Sequence, residues 1–217
     1  MNNAASMLPI VLIGGGGHAS VLADILLRQG REIVAVICPD DISQRKVFSG
    51  MKQLTKDSDI KGYHPDEVCV VNGIGIMPKS RIREKVTEYY LELGYRFESV
   101  VDETARVSEF AELGQGVQVF ANATVQTGAK VNDFSVVNTG AVVEHDCQLG
   151  MHNHIAPNAT LCGQVFTDNY VYIGANATVF QCLSIGESTI VGAGAIVTKS
   201  LSPQSICYPS RSIIKSY

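Results

Sequence analysis

The chain has 217 residues, 46% hydrophobic and 18% charged, a composition that can bury a core and is unlike that of a disordered sequence. Seventeen basic against 21 acidic residues give a formal charge of −4 without any Lys/Arg run, which argues against a nucleic-acid footprint. The longest apolar stretches, Leu8 to Ile13 and Ile33 to Cys38, fall far short of the ~20 residues of a membrane span, and Met1 to Met7 lacks the features of a secretory signal, so a cytoplasmic protein is expected.

Leu8 to Ile13 reads as a short buried strand, followed by Gly14 to Gly17, His18, Ala19 and Ser20. Val21, Leu22, Ile25 and Leu26 then recur at helical spacing up to a stop at Gly30. Ile33 to Ile37 is a second strand, turned by Pro39, Asp40 and Asp41, and Asp41 to Pro65 reads as polar, irregular surface loop. Val68 to Asn72 is a third strand, Lys79 to Leu93 a second helix ending at Gly94, and Phe97 to Val101 a last strand. Strand, helix, strand, twice over, predicts a small Rossmann-like parallel α/β domain over residues 1–103.

Gly14, Gly16 and Ala19 satisfy the G-x-G-x-x-A pattern in which glycine lets backbone N–H groups approach a phosphate at a helix N-terminus. A tight strand-to-helix turn without ligand is the plainer reading. Pro39 stands where a nicotinamide site needs an acid, and the strands are too few for a full dinucleotide fold. Arg81, Arg83, Glu84 and Lys85 read as a solvated helix face.

From Val107 onward one position in six is aliphatic: Val107, Leu113, Val119, Val125 and so on to Val197, with Thr167 the one exception among sixteen. Four residues after each comes a mostly small one, such as Ala123, Ala129, Ala141, Ala159 or Ala177. A period of six fits neither a helix nor a simple hairpin array. It fits a parallel β-solenoid of triangular section over residues 104–217, with three units to a coil and the aliphatic side chain pointing inward. About five coils stacked at ~4.8 Å make a prism roughly 25 Å long. Thr167 needs a partner for its hydroxyl inside this core.

The six cysteines (Cys38, Cys69, Cys147, Cys162, Cys182, Cys207) are scattered with no C-x-x-C and read as small buried hydrophobes. A zinc site of the carbonic-anhydrase kind would have to use His145, His152 and His154, the histidines of the repeat.

A four-glycine loop followed by histidine, a small α/β domain and a hexapeptide repeat containing VVNTGAVVEHDCQLG together resemble the sugar O-acyltransferase family of the sialic-acid O-acetyltransferase type, which includes the nucleotide-activated 4-amino-sugar N-acetyltransferases. The resemblance runs from about Pro9 to about Arg211. It implies a left-handed β-helix, a homotrimer with sites between subunits, a nucleotide sugar held by the N-terminal domain and acetyl-CoA held by the β-helix, with no metal. His145 matches the family's general base and Asp146 the acid that orients it. Asn138 matches a residue lining the sugar amine site, and His154 one near the thioester carbonyl. Gly163, Gly174, Ala175 and Ala193 match positions along the pantetheine arm, while Gly15, Gly17, His18 and Asp40 match the nucleotide-sugar pocket; for Arg83 the alternative to a solvated face is that it reaches this pocket. Two positions depart from the pattern: Pro39, where the family has an acid, and the stretch Cys207-Tyr208-Pro209-Ser210-Arg211, where it reads G-V-P-A-K.

The residues agree with that chemistry. Acetyl transfer to an amine needs a neutral nucleophile, so a C4 ammonium must lose a proton, which histidine accepts and a neighbouring carboxylate supports. The expectation is an acetyl-CoA-dependent N-acetyltransferase acting on a UDP-linked 4-amino-4,6-dideoxy sugar destined for surface glycan or protein glycosylation. An O-acetyltransferase of sialic acid or a related sugar, a non-catalytic nucleotide-sugar-binding scaffold, and a nicotinamide-dependent enzyme are the alternatives.

Overall fold

The computed structural model describes residues 8–210. Met1 to Met7 and Arg211, which entered the reading of the two termini, lie outside the described residues. The chain divides into two compact units, Met1–Glu103 and Thr104–Tyr217.

The first unit is a five-stranded sheet in the order β3-β2-β1-β4-β5, with β1 Ile10–Ile13, β2 Ile33–Ile37, β3 Gln53–Leu54, β4 Cys69–Asn72 and β5 Arg96–Phe97. Every pairing is parallel. The helices α1 (Gly17–Arg28) and α2 (Ile82–Glu92) make the crossovers. All four residues of β1 are buried, which is why this strand reads as an unbroken apolar run rather than an alternation.

Four details depart from the sequence reading. The inward face of α1 is Ala19, Leu22, Ala23, Ile25 and Leu26, while Val21 is 46% exposed. Helix α2 begins at Ile82, three residues after the expected Lys79, whose φ of +65° is not helical. The region expected to be loop contributes β3, whose Gln53 and Leu54 pair with Val36 and Ile37; two residues are too few to show a period. The expected last strand splits into β5 and a separate short strand, Val100–Val101.

The second unit is a parallel β-helix of three faces built from two-residue strands. Each strand pairs in register with the residues eighteen further on, as Thr124 and Val125 do with Val142 and Val143. The second residue of each strand points inward: Val119, Val125, Val131, Val137, Val143, Leu149, Ile155, Leu161, Ile173, Val179, Ile185 and Val191 are all at most 1% exposed. At roughly 1.5–3 kcal/mol for each buried aliphatic, this column is the main stabilising element of the unit. Thr167 holds its place in the column because Asn153 Nδ2 donates to its Oγ1 at 2.6 Å. Asn153 is itself buried, its Oδ1 accepting from Val171 N at 2.6 Å and its own N donating to Ser135 Oγ at 3.0 Å.

The corners turn on the third residue after each inward side chain, which carries a positive φ from Gly116 through Gly194. Most of these are not glycine: Asn122, Phe134, Asp146, His152, Gln164, Tyr170 and Cys182 all have φ between +56° and +61°. A left-handed residue with a Cβ costs about 1–2 kcal/mol and persists where packing on both sides dictates it. The register shortens at the end, where Ile190 pairs with Ile206.

Candidate active site

The segment Val142–Val143 ends one face, and Glu144 to Cys147 form the corner that follows. Val143 and Cys147 point inward and are buried. Asp146, at φ +60°, reverses the chain and brings its carboxylate back to the preceding side chain. The result is a short-range pair: His145 Nδ1 lies 2.9 Å from Asp146 Oδ2. A carboxylate acceptor places the proton on Nδ1 and leaves the Nε2 lone pair to accept. Both side chains are about half exposed, 53% and 56%, so the ring stands on an open edge of the prism and not in its interior.

The coils on either side shape this pair. Gly163, eighteen residues after His145, lies so close that a Cβ there would collide with His145 Nε2 and Cε1. Gly128, eighteen residues before Asp146, has φ +72° and would collide with Asp146 Oδ1. Two glycines thus seat the imidazole and its acid. A cleft of about 380 Å³ opens beside the ring, lined by Glu144, His145, Cys162, Gly163, Gln164, Gln181 and Cys182. A second cleft, about 580 Å³, is bounded by Arg106, Ser108, Phe110, Thr124, Gln126 and Glu144, so the two meet at Glu144. The Cys147 thiol, buried behind this corner, is not a poised nucleophile. Cys147 Sγ donates to Cys162 O at 3.2 Å, and burial pushes its pKa up to about 11. Cys182 Sγ donates to Gln164 Oε1 at 3.3 Å.

The other expected residues of the β-helix sit elsewhere. Asn138 is on the preceding corner of the same coil, where its Oδ1 accepts from Thr139 N at 2.8 Å. Gly174, Ala175 and Ala193 lie further along that same edge, Gly174 packed so tightly that a Cβ would come within 2.5 Å of Ala193 N. His154 is on a third face, 6% exposed, with its ring stacked on Tyr172 at 4.8 Å. It does not share the corner of His145. His152 lies between Phe134 and Tyr170 at 5.1 and 5.2 Å. Among the described residues no group of three or more His, Cys, Asp or Glu side chains is arranged to hold a metal ion.

In the first unit the expected ligand residues gather at the ends of β1, β2 and β4. Gly14 adopts φ +91°, Gly15 has no room for a Cβ against Ile42 and Cys38, and Gly17 opens onto free space at the start of α1. Helix α1 has no side-chain cap, so its N-terminus is formed by backbone of the glycine run. His18 is half-buried, its Cβ 3.7 Å from where a Cβ on Gly75 would lie. Asp40 is exposed, its carbonyl held by Gln53 Nε2 at 2.8 Å, and the same amide donates to Cys38 O at 2.9 Å. Asp41 caps its own turn, and the hydrogen bonds from Ser43 N and Oγ hold its carboxyl below the ordinary range. Arg83 is not on a solvated face: it is 5% exposed and donates to Asn72 O and Ile74 O. Among the described residues no helix is long and apolar enough to cross a membrane.

The PglD N-terminal domain family matches residues 9–90. The chain is 30% identical to PerB from Caulobacter crescentus, solved in complex with CoA and GDP-perosamine, over 91% of this chain and 92% of that one, with a TM-score of 0.81. It is 29% identical to the acetyltransferase domain of PglB from Neisseria gonorrhoeae, solved with acetyl coenzyme A, over 95% of this chain and all of that one, with a TM-score of 0.82. Among curated proteins it is 27% identical to the GDP-perosamine N-acetyltransferase of Escherichia coli O157:H7, over 84% of this chain and 82% of that one. The chain belongs to the PglD-type family of nucleotide-sugar N-acetyltransferases. Its architecture, an α/β domain followed by a left-handed β-helix, is that family's fold.

Within this family fold, the two glycine seats, Gln164 and Gln181 are features that reading motifs alone missed. Gly163 was assigned only to the pantetheine arm, yet it also touches the His145 ring. The eighteen-residue coil was the available signal, because adding or subtracting it from residues 145 and 146 points straight to both glycines.

Proposed function

We propose that the chain transfers the acetyl group of acetyl-CoA to the C4 amine of a nucleotide-linked 4-amino-4,6-dideoxy sugar. The observation that carries this reading is the His145–Asp146 pair on an open edge where two clefts meet. In this reading His145 Nε2 takes a proton from the sugar ammonium, the freed amine attacks the thioester carbonyl, and Asp146 supports the imidazolium that forms. The tetrahedral intermediate collapses as its C–S bond breaks, and the departing CoA thiolate takes up the second proton that the nitrogen sheds on becoming an amide. Gly163, Gly174, Ala175, Ala193 and His154 are assigned to the acetyl-CoA side, Asn138 to the sugar amine.

The nucleotide is assigned to the first unit, at Gly15, Gly17, His18 and Asp40. Uridine was the expectation from the sequence; the likeness to two enzymes named for GDP-perosamine supports guanosine instead. The active unit is proposed to be a cytoplasmic homotrimer with its sites between subunits. Exposed apolar side chains on the β-helix, Phe110 at 70%, Ile196 at 65% and Phe180 at 43%, support a surface covered by a second copy. The product would serve as a building block for surface glycan or protein glycosylation.

The test is thiol release from acetyl-CoA with a panel of GDP-, UDP- and dTDP-linked 4-amino sugars, alongside free sialic acid. Release with a GDP-linked 4-amino sugar is the expected result. Release only with the free acid would replace the reading by O-acetylation, and none with any acceptor would leave a binding scaffold.

A further inference from the structure

We propose that Arg83 is the positioning residue of the nucleotide pocket: its buried guanidinium fixes the loop after β4 as the wall on which the glycine turn rests. The inference depends on the reading that this turn receives the nucleotide. Arg83 stands in the first turn of α2 yet is 5% exposed, and its Nη1 donates to Asn72 O at 2.8 Å and to Ile74 O. Those two carbonyls straddle Gly73. The Asn72 side chain completes the network, donating from Nδ2 to Arg83 O at 3.2 Å and Thr87 Oγ1 at 3.0 Å and accepting from Ile74 N at 3.0 Å. One cation and one amide therefore tie residues 72–74 to helix α2.

What they tie down is one side of the crevice. A Cβ on Gly73 would lie 2.6 Å from both Ala19 Cβ and Ile13 O, and one on Gly14 would lie 3.2 Å from Gly73 C. The glycine turn and the start of α1 thus pack against a strip of backbone whose position Arg83 sets. In a parallel sheet of order β3-β2-β1-β4-β5, the crevice at the ends of β1 and β4, where the crossovers diverge, is where a ligand sits. Burial lowers the pKa of Arg83 to about 9, so it is still cationic at neutral pH. Lysine keeps the charge but lacks the planar Nη1 amino group, whose two N–H bonds are held at fixed angles toward the two carbonyls.

Three measurements on the full chain test this. GDP affinity is measured by titration calorimetry, and KM for the nucleotide sugar and for acetyl-CoA by steady-state kinetics, in wild type, Arg83→Lys and Arg83→Met. Arg83→Lys should bind GDP roughly 10-fold more weakly or worse, the cost of a hydrogen bond from a charged donor. Its nucleotide-sugar KM should rise in step, with acetyl-CoA KM and kcat at saturation little changed. A folded Arg83→Lys that keeps wild-type GDP affinity overturns the proposal, whatever its melting temperature. Should both variants fail to fold, hydrogen exchange on the wild type decides: GDP should protect the amides of residues 73–76, and no change there overturns the inference. Wild type that binds neither GDP nor UDP would instead remove the nucleotide reading itself.

Discussion

His145 and His152 stand on successive edges of the same coil and have opposite fates. His152 occupies the left-handed position of its corner, at φ +56°, and its ring is enclosed between Phe134 and Tyr170, eighteen residues to either side. His145 comes one residue before the left-handed position, which Asp146 takes, and its neighbour on the following coil, Gly163, has no side chain to cover it. In a β-helix, then, the residues one coil away decide what a histidine does. Aromatic neighbours on both sides make it a rung of a ladder; a glycine on the following coil, with an acid alongside, leaves a ring fixed in place with one nitrogen open to a cleft.

The sharpest way to break this contrast is to remove each ring. His145→Ala should lower kcat by roughly 10²–10⁴ while acetyl-CoA binding is nearly intact, measured by thiol release and calorimetry. His152→Ala should turn over at close to the wild-type rate. Comparable losses in the two variants would erase the distinction.

Next in size is the seat beneath the ring. Gly163 has an ordinary φ, so Gly163→Ala adds a collision with His145 without straining the backbone. A displaced ring should cost about 10- to 100-fold in kcat, since misplacement near 1 Å has that order of effect. The change should fall on kcat, with the melting temperature close to wild type. A variant of normal rate would mean the ring relaxes freely and the glycine serves only the co-substrate.

On the other edge, Asn153→Ala should reverse the pattern. It strands Thr167 Oγ1 and Val171 N in the core, a loss of about 1–3 kcal/mol in stability, seen as a lower melting temperature with kcat per folded molecule preserved. A fall in kcat without a fall in stability would show that this edge communicates with the site.

Much of this was legible because the repeat is arithmetic. One aliphatic in six gave the faces and the inward column from Val107 to Val197, and the need of Thr167 for a partner was visible before Asn153 was known to supply it. The pairing of His145 with Asp146 follows from adjacency at a corner. What escaped were contacts between coils and contacts without periodicity. Gly163 and Gly128 look like any other corner glycine until the eighteen-residue coil is applied to residues 145 and 146. In the α/β unit neighbours are set by crossovers, so a charged Arg83 amid Arg81, Glu84 and Lys85 reads as surface although its guanidinium closes a buried network. The strand Gln53–Leu54 is too short to carry a pattern and is held by its partner β2 alone.

The smallest predicted effect separates the two opposing terms at residue 152. Stacking on two rings contributes about 0.5–1.5 kcal/mol per pair, while a left-handed φ costs a residue with a Cβ about 1–2 kcal/mol. His152→Ala loses the stacking and keeps the strain; His152→Gly loses the stacking and relieves it. Melting temperatures should therefore fall in the order wild type, His152→Gly, His152→Ala, all with similar kcat. If His152→Ala melts no lower than wild type, the ladder of Phe134, His152 and Tyr170 does not hold the corner, and the left-handed turn there is dictated by the inward column and the backbone bond from His152 N to Asp133 O at 3.0 Å.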